Sequence, residues 1–330
     1  MRWRRAKLDP LDSGANGPEE FDLSAFDERS ARRAIRRGVI RTATTAIALV
    51  IIGYWILLGA SELWQHHGNR DRRFPIVAAL GFLVAHPGYN GYPSGCCNES
   101  LTSIELFLDV APRTASELSP TTKAWLRLNL LGRVVRDSIP NLPATQIDVP
   151  LKSSIRPSKG QTRSVIDDLP RRMVATAVIE VTKPATASAF EALIRRDGVL
   201  SEPSRLAFPP VFFEPLYDPV RLAGSRISGE PLAWPDPVTV AGSGWGGEHL
   251  PEADSITQFK RWAGMLRQGD DRNLGRLGLP SSEQIKRVAS HAKIYGFILE
   301  KTSLKTLRRL LVDPEVRSVN IADVAFKLRP

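Results

Sequence analysis

Two cysteines and five histidines supply the soft metal ligands and the most reactive side chains of this 330-residue chain. Cys96 and Cys97 are adjacent, so a bond between them closes only a strained small ring outside ordinary disulfide geometry. His66, His67 and His86 are near them only in sequence, and no zinc-type spacing links the two sets. His249 and His291 have no ligand partner at a recognised distance either. Acyl transfer through a serine nucleophile needs a Gly-x-Ser-x-Gly turn, which the chain lacks. The glycines of AGSGWGGEHLPEAD (241–254) are not followed by Gly-Lys-Ser/Thr and make no phosphate cradle. Asp167–Asp168 and Asp270–Asp271 sit in polar stretches and read as solvated surface. No metal, cofactor or catalytic centre is therefore expected, and the chain reads as a binding protein rather than an enzyme.

The chemistry that spacing does write is electrostatic. Arg29, Arg32, Arg33, Arg36, Arg37 and Arg41 crowd ahead of a run, Thr42 to Ser61, that has no charged side chain. At about 1.5 Å per residue a helix of that length crosses roughly 30 Å of hydrocarbon. A helix is required, because it alone satisfies every backbone group of an isolated span in lipid. Trp64 follows at the position of an interfacial aromatic. The only exit resembling a signal-peptidase site, near Ala60, places Leu58 where a small residue is preferred, so the run reads as an uncleaved anchor. Fewer arginines, Arg70, Arg72 and Arg73, follow it. The positive-inside bias, set by Arg36, Arg37 and Arg41 above all, puts the N-terminus in the cytoplasm and the long C-terminal part outside.

The elements on either side follow from composition and period. The expected organisation is a partly disordered cytoplasmic segment (1–41), the span (42–61), a membrane-proximal extracytoplasmic region (62–152), a linker (153–170) and a C-terminal domain (171–330). In the first segment Asp27 or Ser30 could cap a short basic helix ending near Gly38. That helix either fixes topology and touches anionic lipid heads, or folds onto a partner. FPIVAALGFLVA is too short for a second crossing and reads as a buried strand or short helix, followed by a Gly/Pro/Asn loop. SIELFLDV and WLRLNLLGRVV alternate as strands do.

Beyond residue 170 the pattern is clearer. RMVATAVIEVTKP, YGFILEKT and VRSVNIADVAF read as strands, while TASAFEALIRRDG, ITQFKRWAGMLRQ, SSEQIKRVASHAK and SLKTLRRLLVDP read as helices. Leu304, Leu307, Leu310 and Leu311 share one helical face and are expected in the core. Alternating strands and helices predict an α/β (α+β) domain with a mixed sheet and covering helices, anchored by one N-terminal transmembrane helix. The formal net charge of +10 is spread along the chain without a basic–aromatic motif, so no direct contact with nucleic acid is expected.

Three stretches in this order resemble the bacterial sigma-factor regulators, single-span membrane anti-sigma factors with N- and C-terminal regulator regions. They are FDERSARRAIRRGVIRTATTAIALVIIGYWILL, the FLVAHPGYN that follows, and the C-terminal part from RMVATAVIEVTKPATASAFEALI to KIYGFILEKTSLKTLRRLLVDPEVRSVNIADVAF. The resemblance implies that the cytoplasmic segment holds a sigma factor at the membrane while the external domain senses, scaffolds or binds a partner. A second membrane subunit is a further possible partner. The residues placed to contact the sigma factor are Phe26, Asp27, Glu28, Arg32, Arg33 and Ile35. The His-x3-Cys-x2-Cys motif of zinc-dependent anti-sigma factors is missing. The other reading open to the sequence is an envelope-facing binding module whose N-terminus only sets topology.

The orientation has a direct test. Alkaline phosphatase fused after Pro330 is expected to be active and a cytoplasmic reporter at the same point silent; the reverse pattern overturns the orientation.

Overall fold

The structure is a computed structural model that describes residues 28–66, 73–100, 102–116, 118–153, 155–199, 209–216, 231–235 and 254–327. The chain divides into two units, Met1–Gly59 and Ala60–Pro330.

Helix α1 runs unbroken from Glu28 to His66. Its stretch Arg32–Ala60 is long and apolar enough to cross a membrane. The short basic helix and the span expected as two pieces are thus one rod of roughly 58 Å at 1.5 Å per residue. Gly38 does not end it: a glycine costs about 1 kcal/mol in a helix interior, and extending an existing helix avoids a new nucleus. The threonines that open the uncharged run bond to their own helix, Thr42 to the Gly38 carbonyl at 2.9 Å and Thr45 to that of Arg41 at 2.8 Å. Their hydroxyls therefore need no water.

In the second unit the chain enters α2 (Pro75–Ala85), whose first turn is a π-helix. Strands β1 (Tyr89–Glu99), β2 (Ser103–Pro112) and β3 (Thr122–Asn129) form an antiparallel sheet in that order. The expected loop after His86 is instead edge strand β1. Its register shifts twice, between Pro93 and Gly95 and between Gly95 and Asn98, which is how an edge accommodates Pro and Gly.

Short α3 (Asp148–Lys152) and α4 (Lys159–Asp168) lead into β4 (Met173–Ala185) and α5 (Ala187–Arg196). After β5 (Val211–Phe212) and β6 (Ala233–Trp234) come α6 (Ser255–Met265), α7 (Asp271–Arg276) and α8 (Ser282–Ser290). Strand β7 (Ile294–Ser303), helix α9 (Leu304–Val312) and strand β8 (Val316–Phe326) close the described chain.

The second sheet has the order β6-β5-β7-β4-β8, and every pairing in it is antiparallel. The sheet is therefore not the mixed one that alternation led one to expect. Strands β7 and β8 do run the same way with α9 between them, but β4 is inserted between the two and opposes both. One face of β4 (Ala175, Ala177, Ile179, Val181) joins a core with Phe190 of α5, Phe259 and Trp262 of α6, Ile285 of α8 and Leu307 of α9. On the other face Val178 and Ile298 meet Ile147 and Leu151 from around α3. Helix α2 is apolar all round because both cores claim it: Val77, Leu80 and Val84 join the large one, Ala78, Phe82 and Leu83 the one under the small sheet.

The stretch expected as a linker is a working part of the fold. Ser158 and Gln161 form a reciprocal capping box that starts α4. Ile166 is fully buried, and the Thr162 hydroxyl donates to the Val319 carbonyl of β8 at 2.7 Å. Arg308 of α9 donates to the Ile166 carbonyl and to Asp167, both at 3.0 Å. Residues 62–152 and 171–330 accordingly share one unit.

The leucine face of α9 lies in the core as expected, with Leu307 and Leu310 fully buried. Leu307→Ala is expected to cost about 2–5 kcal/mol, seen as a lower apparent melting temperature of the chain by near-ultraviolet circular dichroism. An unchanged melt would show that this face carries no packing energy.

Candidate functional site

The residues expected to contact a partner fall in or ahead of α1. Phe26 and Asp27 lie outside the described residues, and of Glu28 only the backbone, at the first turn of α1, is described. Arg32, Arg33, Ile35, Arg36, Arg37 and Arg41 all occupy α1 and are exposed. Helical spacing stacks Arg33, Arg37 and Arg41 in one row and Arg32 and Arg36 in the next. Like charges four apart repel by about 0.2–0.5 kcal/mol per pair, so these rows favour an anionic surface beside them. Ile35 (66% exposed) and Val39 (63%), again four apart, make a short apolar strip alongside.

Of the acidic pairs, Asp168 is exposed at the surface, while the other three carboxylates make contacts within the fold. Asp167 accepts from Arg308, Asp271 Oδ1 accepts the Ser282 amide at 2.7 Å, and Asp270 accepts from Arg73 at 2.8 Å. Asp270 and Asp271 are thus bound into the fold rather than merely solvated. His291 is exposed and contacts Ser290 Oγ at 2.9 Å. His67 and His249 lie outside the described residues, as do the side chains of His66, Cys96 and Cys97. No group of three or more His, Cys, Asp or Glu with metal-binding geometry occurs among the described residues.

The HPGY stretch (86–89) is a structural junction. The His86 ring stacks on Phe82 with centroids 4.4 Å apart, and its Nδ1 lies 2.8 Å from the Phe82 carbonyl. Burial pushes its pKa below the usual 6.5, against smaller opposing effects of that carbonyl and of Asp148. A Cβ on Gly88 would stand 2.2 Å from Thr145 Oγ1 and 2.7 Å from Asp148 Oδ1, so only glycine fits. Tyr89 donates to the Pro143 carbonyl at 2.5 Å. Buried Arg113 donates to the Pro87 carbonyl at 3.0 Å and pairs with Glu300 of β7, to which Asn90 also donates at 2.9 Å. Ala115 N donates to Asp323 of β8 at 2.8 Å. These bonds fasten the small sheet to the large one.

A cavity of about 430 Å³ opens elsewhere in the second unit, within the range of small-molecule sites. Phe74, Val77 and Ala78 of the α2 end form one wall, and Leu128, Leu131 and Val134 around the β3 turn form another. Arg73, Arg267, Asp270 and Asn273, with Gly132 and Gly269, complete the lining. Gly132 turns the chain with a φ of 69°. Asn273 holds this turn on two sides, donating to the Gly132 carbonyl and accepting from Val134 N, each at 2.9 Å. Arg276 also donates to the Val134 carbonyl. The walls are therefore cross-linked before any ligand arrives. The cavity was not legible in the sequence, because its lining comes from three separated stretches, and Arg73 and Asp270 stood out there only as isolated charges.

No family model, characterised protein or solved structure matches the chain.

His86 makes stability depend on pH with a definite sign. Above about pH 7 the ring is neutral folded and unfolded. As pH falls through 6.5 the unfolded chain takes up a proton that the folded ring resists, so stability drops. The urea midpoint is expected to fall between about pH 7.5 and 5.5, and to fall distinctly less in His86→Gln. Equal slopes for parent and variant would assign the dependence to other groups.

Proposed function

We propose that this chain is a single-span membrane protein, cytoplasmic at its N-terminus, that holds a sigma factor against the inner face of the membrane. The observation that carries the reading is the continuation of α1 ahead of the apolar run. From Glu28 to Arg41 a helical arm of roughly 21 Å extends, with Ile35, Val39 and Ile40 exposed beside its arginines. Exposed apolar side chains on a charged helix suit a docking surface. The order of arm, span, His-Pro stretch and C-terminal strands and helices is the order that resembles sigma-factor regulators. A sigma factor binds a DNA backbone and carries basic surfaces, which Asp27 and Glu28 complement. The arginines face its acidic patches or anionic lipid heads.

A second reading has its own support. The cavity bounded by α2, the β3 turn and Arg267–Asn273 suits an envelope-facing binding module in which α1 is only an anchor.

Phe26→Ala combined with Ile35→Ala separates the two. Loss of two apolar anchors is expected to weaken sigma-factor binding about tenfold or more and raise transcription of its regulon. Membrane insertion is expected to be unchanged, because the uncharged run and all its flanking arginines remain. A double variant present at normal levels that still represses as the parent does would return the arm to an anchoring role.

A further inference from the structure

We propose that the cavity between α2, the β3 turn and the Arg267–Asn273 segment binds a small amphiphile with a single anionic head. The assignment is independent of whether the arm holds a sigma factor.

Charge and wall chemistry set the ligand class. Phe74, Val77, Ala78, Leu128 and Val134 are buried apolar residues, suited to an alkyl or aryl tail. The polar side carries two arginines and one carboxylate. Asp270 is already committed: its Oδ2 accepts from Arg73 Nη2 at 2.8 Å and from the Arg267 amide at 2.7 Å. Arg73 is held by that pair and by a bond to the Met265 carbonyl at 3.1 Å. Arg267 is exposed, lines the cavity, and pairs with no carboxylate among the described residues. One positive charge is thus left over beside an apolar cavity. A cation meets two arginines there, and a neutral tail leaves the leftover charge unanswered. A carboxylate, sulfonate or phosphate monoester head answers it, with the fork of a guanidinium matching such oxygens. Leu131, 66% exposed, sits at the mouth, where a tail passes in.

The test uses the full chain in phosphatidylcholine nanodiscs, with octanoate as probe, followed by calorimetry and corrected with empty discs. Saturable binding of one octanoate per chain is expected, and octan-1-ol, with the same tail and no charge, should bind about fivefold or more weakly. Arg267→Gln removes the leftover charge and Leu131→Asp adds a carboxylate at the mouth. Both residues are exposed, so both variants keep the fold, and each is expected to weaken octanoate about fivefold or more. Discs containing phosphatidylglycerol distinguish the source. Competition with octanoate in the parent but not in Arg267→Gln assigns the bilayer as source, and no competition assigns a dissolved amphiphile. The proposal is overturned if octanoate does not saturate, if octanol binds equally well, or if both variants bind as the parent does.

Discussion

Strand β4 has to be satisfied on four sides at once, and the larger unit is arranged around that demand. Its two edges pair with β7 and β8, so its backbone needs no further partner. Its two faces are both buried, from Ala175, Ala177 and Ile179 on one to Thr176 and Val178 on the other. The same burial catches Glu180, only 5% exposed. A carboxylate taken out of water must be paired. Arg156 supplies the pair at 2.6 Å, and Ser318 adds a hydrogen bond at 3.2 Å. That pairing draws the stretch between α3 and α4 across the sheet. The segment then cannot be a free tether, whatever its composition suggests.

This accounts for what the sequence displayed and what it concealed. Periodicity is a local signal, so β2, β4, β7, β8 and the leucine face of α9 were readable from it. Strand direction is not local: nothing within β7 or β8 says that β4 lies between them, and a parallel neighbour was the simpler inference. Helix α4 was masked by its charges, although Ser158-x-x-Gln161 is a capping box that could have announced it. Strand β1 was masked by Pro93, Gly91 and Gly95, residues that rule out a central strand but not an edge. The site divides in the same way. The arginine rows of α1 were written contiguously and could be read. The cavity is assembled from residues around 73–78, 128–134 and 267–273, and only folding brings them together.

The polar bonds outside the cores do a different job from the cores themselves. Arg113–Glu300, Asn90–Glu300, Ala115–Asp323 and Asn273 with the 132–134 turn each join the small sheet to parts of the chain far off in sequence. Apolar contact between two sheets tolerates sliding, whereas a donor aimed at one acceptor fixes register. Beside these bonds the HPGY stretch is held by Arg113 at the Pro87 carbonyl and by Tyr89 on the Pro143 carbonyl, and a side chain on Gly88 would collide with Thr145 and Asp148. The cavity owes its definite shape to the Asn273 fastener.

The pairing of Met173 with Phe326 sets a timetable for the ribosome. The partners are 153 residues apart, and Val174 waits for Ser303 on its other edge. At about 5–20 residues per second, β4 exists for roughly 8–30 s before β8 has been made. Until β7 is made, thirteen mostly apolar residues have no strand beside them, and one edge stays open until β8 follows. Local helices can form and re-form meanwhile, but the large sheet cannot close around a strand whose neighbours are unmade. The newborn chain therefore carries an apolar strand ahead of its final neighbours, and residues 173–185 are the segment most in need of cover until β7 and β8 are made.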